Sequence, residues 1–244
     1  MQIVFLQRIR YNRSIRTGIP QAGGCREKGN RKMERKEINT HIDHTQLKQT
    51  ADWASIQALC DEAIDGGAAS VCIPPCYVKQ AAAYVQGRMK ICTVIGFPNG
   101  YQTTLVKLVE TEEALANGAE EIDMVINLCD VKNGNFAAVA HEIKALKQAC
   151  GNRVLKVIVE TCFLTEEEKV QLCRIVTEAG ADYIKTSTGF GSGGATVEDV
   201  QLFRRECGAD VKIKAAGGIR TVEDAEAMLN AGADRLGSSA LLKR

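Results

Sequence analysis

The chain has 244 residues, enough for one large domain or two small ones, and a single (β/α)8 barrel typically takes about 250. Its 45% hydrophobic and 25% charged residues exclude a disordered chain, and no apolar run approaches the ~20 residues that cross a bilayer, so no membrane partner is expected. The net charge of +1 hides an asymmetry: residues 1–33 hold eight Lys/Arg and one acid, Glu27, whereas the remainder holds 23 basic and 29 acidic residues, a mildly acidic body unlike a general nucleic-acid binder.

Residues 1–32 are Arg-rich and lack sustained periodicity. Their apolar run, residues 3–6, is too short for a signal-peptide core of ~7–15 residues. The segment reads as a disordered leader or a start-site artefact, with a transit peptide or a nucleic-acid arm as alternatives. Domain-like sequence begins at Met33, so 33–244 is expected to be one domain. The ten cysteines are scattered. The closest pair, Cys72 and Cys76, lacks the second pair a structural zinc site needs, so they read as free thiols in a reducing cytoplasm.

From residue 38 onward, β-rich runs alternate with amphipathic stretches. Strands are predicted over 38–43, 70–74, 90–97, 121–127, 154–160, 182–187, 211–216 and 234–238, each bounded by turn residues. Helices are predicted over 52–64, 102–116, 137–149, 166–179, 197–206 and 222–230. Thr165 with Glu168 forms a capping box, and Thr196 and Thr221 stand at N-cap positions. The Gly-Ala phrases at 67, 118, 180 and 232 close helices just before a strand, at unequal spacings that exclude a repeat array. Alternating β and α implies a parallel sheet covered by helices, and eight units fit a (β/α)8 TIM barrel. A doubly wound sheet is the alternative, but no G-x-G-x-x-G follows the first strand.

Barrel chemistry sits at the C-terminal strand ends. Two strands there carry lysine among apolar neighbours, Lys185 in the sixth and Lys214 in the seventh. Either can snorkel to the rim or pair with an acid. Adjacent strands lie ~4.8 Å apart, so the two ammonium groups can approach, and like charge with desolvation lowers a lysine pKa. A lysine neutral near pH 7 attacks carbonyls and forms a Schiff base, whose protonated form is an electron sink for breaking the adjacent C–C bond. Asp123, inside the fourth strand, is either the proton carrier or a buried partner for a lysine. Asp43 ends the first strand and can hold a lysine, hold a substrate hydroxyl or cap the turn.

Gly217-Gly218 after strand seven and Gly237-Ser238-Ser239 after strand eight occupy the loops that often bind phosphate in such barrels, and Thr188-Gly189 can add donors. The partner is then a small phosphorylated molecule. His41, Asp43 and His44 alternate faces along a strand and do not converge, so no metal is expected. Cys72 ends strand two as a packed small hydrophobe that could also face the site.

Together, Ile42-Asp43-His44-Thr45, Val71-Cys72-Ile73-Pro74, Glu121-Ile122-Asp123, Lys156-Val-Ile-Val-Glu-Thr161, Tyr183-Ile-Lys-Thr-Ser-Thr-Gly-Phe190 and Ile213-Lys-Ala-Ala-Gly-Gly-Ile-Arg220 resemble the deoxyribose-phosphate aldolase family across residues 38–242. The resemblance implies a cofactor-free, metal-independent class I aldolase that reversibly cleaves 2-deoxy-D-ribose 5-phosphate to acetaldehyde and glyceraldehyde 3-phosphate. Lys185 would form the Schiff base, Lys214 would lower its pKa, and Asp123 would move protons through water. Gly189, Gly217, Gly218, Gly237 and Ser239 would hold phosphate, and the enzyme would be cytoplasmic, with a monomer-to-dimer range in which the dimer is favoured. Three features depart from the family pattern. Ala240 stands where a second serine is common, Phe190 where some members are basic, and the chain stops at Arg244 without a terminal tyrosine. An isomerase or epimerase using Asp123 with a metal, and a sugar-phosphate binder without activity, are the competing readings.

Overall fold

The computed structural model describes residues 31–242. All but two residues of the basic leader, Arg31 and Lys32, therefore lie outside the described residues. In chain order the elements are α1 (Arg35–Asn39), β1 (Ile42–Thr45), α2 (Trp53–Gly66), β2 (Ser70–Ile73), α3 (Val78–Val85), β3 (Ile91–Ile95), α4 (Thr104–Ala116), β4 (Glu121–Val125), α5 (Leu128–Lys132) and α6 (Phe136–Cys150). There follow β5 (Val154–Ile158), α7 (Glu166–Glu178), β6 (Tyr183–Lys185), α8 (Val197–Glu206), β7 (Lys212–Ala216), α9 (Val222–Ala231) and β8 (Arg235–Ser238). The strands pair in sequence order, and β8 closes in parallel on β1 through Asp43 opposite Gly237. The fold is the closed (β/α)8 barrel, not the doubly wound sheet.

The expected punctuation holds. Thr165 with Glu168 and Thr221 with Asp224 form reciprocal capping boxes, and the Thr196 side chain accepts from the Asp199 N–H. The glycines of the four Gly-Ala joints all lie at positive φ.

The first strand differs from expectation. Residues 38–43 were predicted as strand, but 35–39 form one helical turn and β1 runs from Ile42 to Thr45. Ile38 and Ile42 both face the core, so the apolar pattern alone does not separate a helical turn from a strand start. α1, α3 and α5 were not anticipated, being only five, eight and five residues long. β3 to β6 each end two residues before the predicted limit. Past β5 the backbone bonds continue irregularly, with the Val159 N–H donating to Lys185 O, until Glu160 turns the chain at φ 55°.

Side-chain alternation splits the molecule into two interiors. Outward residues such as Ile42, Val71, Ile122, Leu155, Ile184, Ile213 and Leu236 pack with Ile56, Ile143, Leu172 and Phe203 of the helices in one apolar core. That layer holds the barrel together. The inner faces instead carry Asp43, Glu121, Asp123, Lys156, Lys185 and Lys214, all buried. The lumen is therefore ionic, apart from a small cluster of Cys72, Cys92 and Val94 under Leu47 and Phe97.

Candidate active site

Strand register dictates who meets whom in the lumen. Lys185 pairs across β6 and β7 with Lys214, Lys214 across β7 and β8 with Arg235, and Asp123 across β4 and β5 with Lys156. Asp123 is the hub. Its Oδ2 accepts from Lys185 Nζ and Lys214 Nζ, each at 2.7 Å, and its Oδ1 accepts from Lys156 Nζ at 2.9 Å. Lys214 also reaches Asp43. Arg235 joins Asp43 at 2.6 Å to Glu121 at 3.1 Å, and Glu121 returns to Lys156 at 2.6 Å. Ser70 Oγ donates to Asp43 at 2.7 Å.

Seven ionisable groups are thus in contact, the cations of Lys156, Lys185, Lys214 and Arg235 against the carboxylates of Asp43, Glu121 and Asp123. Fully charged, the cluster carries one uncompensated positive charge. The pairings are unequal. Lys156 faces three carboxylates and Lys214 two, whereas Lys185 faces Asp123 alone.

Burial opposes the ionised form of Asp43, Asp123, Lys156, Lys214 and Arg235, and the charged neighbours reverse that effect. Asp123 lies well below the ordinary carboxylate range because Lys156, Lys185 and Lys214 together outweigh its desolvation. Asp43 is lowered against its burial by Lys214, Lys156 and Arg235. Lys214 is raised against its burial by Asp123 and Asp43, and Lys156 by Asp123 and further acids. The two lysines meet through Asp123, which bonds both ammonium groups and stands between them.

Above the cluster, at the C-terminal strand ends, lies a cavity of about 290 Å³. Of the seven charged groups only Lys185 lines it. Thr188, Gly189, Gly217, Gly218, Gly237 and Ser239 line it too, so every predicted phosphate residue shares one space with the predicted nucleophile. Asp43, Asp123 and Lys214 lie beneath. Gly194 lets the β6 and β7 loops touch, because a Cβ there would stand 2.3 Å from Gly217 O. Thr188 differs from its predicted role as a donor. Its N–H and hydroxyl both donate to the buried Glu160 carboxylate, and its Oγ1 accepts from the Phe190 N–H. Phe190 itself packs edge-on against Phe97, with ring centroids 5.3 Å apart.

The sequence reading passed over Lys156, Glu121, Arg235 and Glu160 as site residues. Lys156 carries the same signal as the other two lysines, a cation in an apolar strand. Glu121 lies two residues before Asp123, on the same face. Arg235 and Glu160, at strand ends, have no local signature. His44 points outward, with Nε2 2.7 Å from Glu62, and His41 Nδ1 lies against Asp234 O, so neither enters the lumen. Cys72, Cys92 and Asp123, and likewise Asp43, Cys92 and Glu121, bring possible metal-ligand atoms within 4.8 Å of one another. Both groups sit among Lys156, Lys185, Lys214 and Arg235, whose charge opposes a further cation.

Residues 38–244 match the DeoC/LacD family aldolase model. The chain belongs to the DeoC/LacD aldolase family. Relatives in the family include a deoxyribose-phosphate aldolase of Clostridium botulinum, 58% identical over 207 residues (85% of this chain, 94% of that one). Another, from Clostridioides difficile, is 55% identical over 208 residues (85% of this chain, 95% of that one). Among solved structures, the tetrameric deoxyribose phosphate aldolase of Aeropyrum pernix superposes with a TM-score of 0.79 at 31% identity, covering 86% of this chain and 90% of that one. For this aldolase-family chain the ion cluster makes the stability of the fold pH-dependent. The stability contributed by Asp43 and Asp123 is complete above the ordinary Asp value of about 3.9 and is lost only as pH falls through their lowered values. That of Lys156 and Lys214 is complete below about 10.4 and is lost only as pH rises through their raised values. Lys156→Met removes the buried ammonium that bonds Glu121 and Asp123 and should cost about 3–5 kcal/mol in denaturant unfolding. That loss should stay nearly constant from about pH 5 to about pH 9, where both groups remain charged.

Proposed function

We propose that this chain cleaves 2-deoxy-D-ribose 5-phosphate reversibly to acetaldehyde and D-glyceraldehyde 3-phosphate, with Lys185 as the Schiff-base lysine. The observation that carries this reading is that Lys185 alone links the ion cluster to the glycine-lined cavity. The excess positive charge is relieved when one cation loses a proton, and Lys185 has the fewest carboxylate partners. Its neutral amine attacks C1 of the open-chain sugar. Loss of water gives the protonated imine. Removal of the C3 hydroxyl proton then breaks the C2–C3 bond, and the electron pair moves into the iminium. Glyceraldehyde 3-phosphate leaves. The enamine is protonated at C2, and hydrolysis frees acetaldehyde and the Lys185 amine. Asp123, bonded to Lys185, serves the proton transfers through water, while Lys214 maintains the charge imbalance. Gly189, Gly217, Gly218, Gly237 and Ser239 surround the phosphate, and the chemistry needs neither metal nor cofactor.

The enzyme acts in the cytoplasm, a reading supported by free thiols at Cys60, Cys72, Cys92, Cys150 and Cys173. Among the described residues no helix is long and apolar enough to cross a membrane. It works as a homodimer. Support for that comes from Leu105 and Val109, 71% and 57% exposed one turn apart on α4, with Tyr101 and Val106 exposed beside them.

Borohydride reduction in the presence of acetaldehyde should leave an ethyl adduct on Lys185 by peptide mass mapping, and folded Lys185→Leu should give none. An adduct confined to another lysine, or none on the wild type, refutes the assignment. Lys214→Leu removes the excess charge of the cluster, and trapping should shift to more alkaline pH; an unshifted profile contradicts the role given to Lys214. Leu105→Lys with Val109→Lys should convert a dimer to a monomer in sedimentation, whereas a dimer that persists places the interface elsewhere.

A further inference from the structure

The chain leaves β5 through a strained turn. Glu160 lies at φ 55°, in the left-handed region that side chains of its size rarely occupy. Such strain persists only where the surroundings over-determine it, and it gathers at functional sites. Here the surroundings are the strand of Lys185. On one side of Glu160 the Val159 N–H donates to Lys185 O at 3.0 Å, and on the other the Thr161 N–H donates to Thr186 O at 2.9 Å. The backbone on either side of the turn is thus tied to the backbone that carries Lys185.

The turn aims the carboxylate at the loop after β6. Glu160 is buried and accepts from both donors of Thr188, the N–H at 3.1 Å and the hydroxyl. Bonds of this kind to a carboxylate are roughly twice as strong as neutral ones. The same hydroxyl accepts from the Phe190 N–H at 3.0 Å, so the grip extends two residues further. The loop then folds back at Gly191, where a Cβ would stand 3.2 Å from Glu160 Oε1. Thr188, Gly189 and Phe190 form one wall of the cavity that Lys185 lines. Phe190, with Leu47 and Lys48, also borders a second cavity of about 320 Å³, so release of this wall would let the two spaces merge. We infer that Glu160 is a positioning residue for the aldol cleavage: acting through Thr188, it fixes the wall that seats the sugar phosphate beside Lys185. The inference rests on the deoxyribose-phosphate reading of the site.

Two variants separate the side chain from the strained backbone. Glu160→Gly fits the left-handed conformation freely and removes the carboxylate, while Glu160→Gln keeps one acceptor oxygen. KM for 2-deoxyribose 5-phosphate should rise about tenfold to a hundredfold in Glu160→Gly and by less in Glu160→Gln, with kcat lowered by a smaller factor. Borohydride trapping with acetaldehyde, a two-carbon ligand that engages Lys185 without the loop, should keep its wild-type rate. KM does not depend on how much of the enzyme is folded, so a carboxylate that merely stabilises the barrel leaves KM alone and lowers kcat and trapping together. That pattern, or a wild-type KM in Glu160→Gly, overturns the inference. In a Thr188→Val background, Glu160→Gln should raise KM by a smaller factor than in wild type, because part of the contact is already gone. Equal factors in the two backgrounds overturn the route through Thr188. Failure of the substrate reading itself is seen separately, as absence of the acetaldehyde adduct in wild type.

Discussion

One carboxylate organises the interior of this barrel. Asp123 receives three ammonium groups from three strands, and burial makes that arrangement all-or-none. An isolated charge in such surroundings is very costly, while a paired and hydrogen-bonded one is tolerated. The lumen therefore cannot rearrange piecemeal. Each of the three lysines is held by the one carboxylate they share. The candidate site and the barrel interior share one set of contacts.

The division between the two interiors follows from strand alternation. The outward apolar residues stabilise the barrel and are indifferent to chemistry, since any well-packed set of similar volume would serve. The inward residues add little net stability, because the attraction of buried ions mainly offsets their desolvation. What they provide is a fixed charge count. Four cations against three carboxylates leave one positive charge in excess, and the lysine with fewest carboxylate partners is the one that faces the cavity.

Much of this was legible in the sequence wherever a residue broke a local rule. Lysine or aspartate in an apolar strand is conspicuous, so Lys185, Lys214 and Asp123 stood out, and Lys156 could have been read by the same rule. Paired glycines after late strands marked the cavity rim. Contacts fixed only by barrel closure were not legible. Arg235 reaches Asp43 because β8 pairs with β1, a neighbour 192 residues away in sequence. Glu160 grips Thr188 across the tops of β5 and β6, which left a predicted ligand without free donors. The first strand was misplaced because Ile38 and Ile42 serve the same core from different elements.

The closure of β8 on β1 also governs how activity relates to integrity. The ionic lumen draws on β1, β4, β5, β6, β7 and β8, so no contiguous fragment or half-barrel contains it whole. Asp123 and Lys156 lie in the first five strands, while Lys185, Lys214 and Arg235 lie in the last three. A partly assembled molecule would expose unmatched charges to water and have no reason to place them. The candidate site is therefore a property of the ring as a topological whole, and a nascent chain completes it only once its last strand has docked.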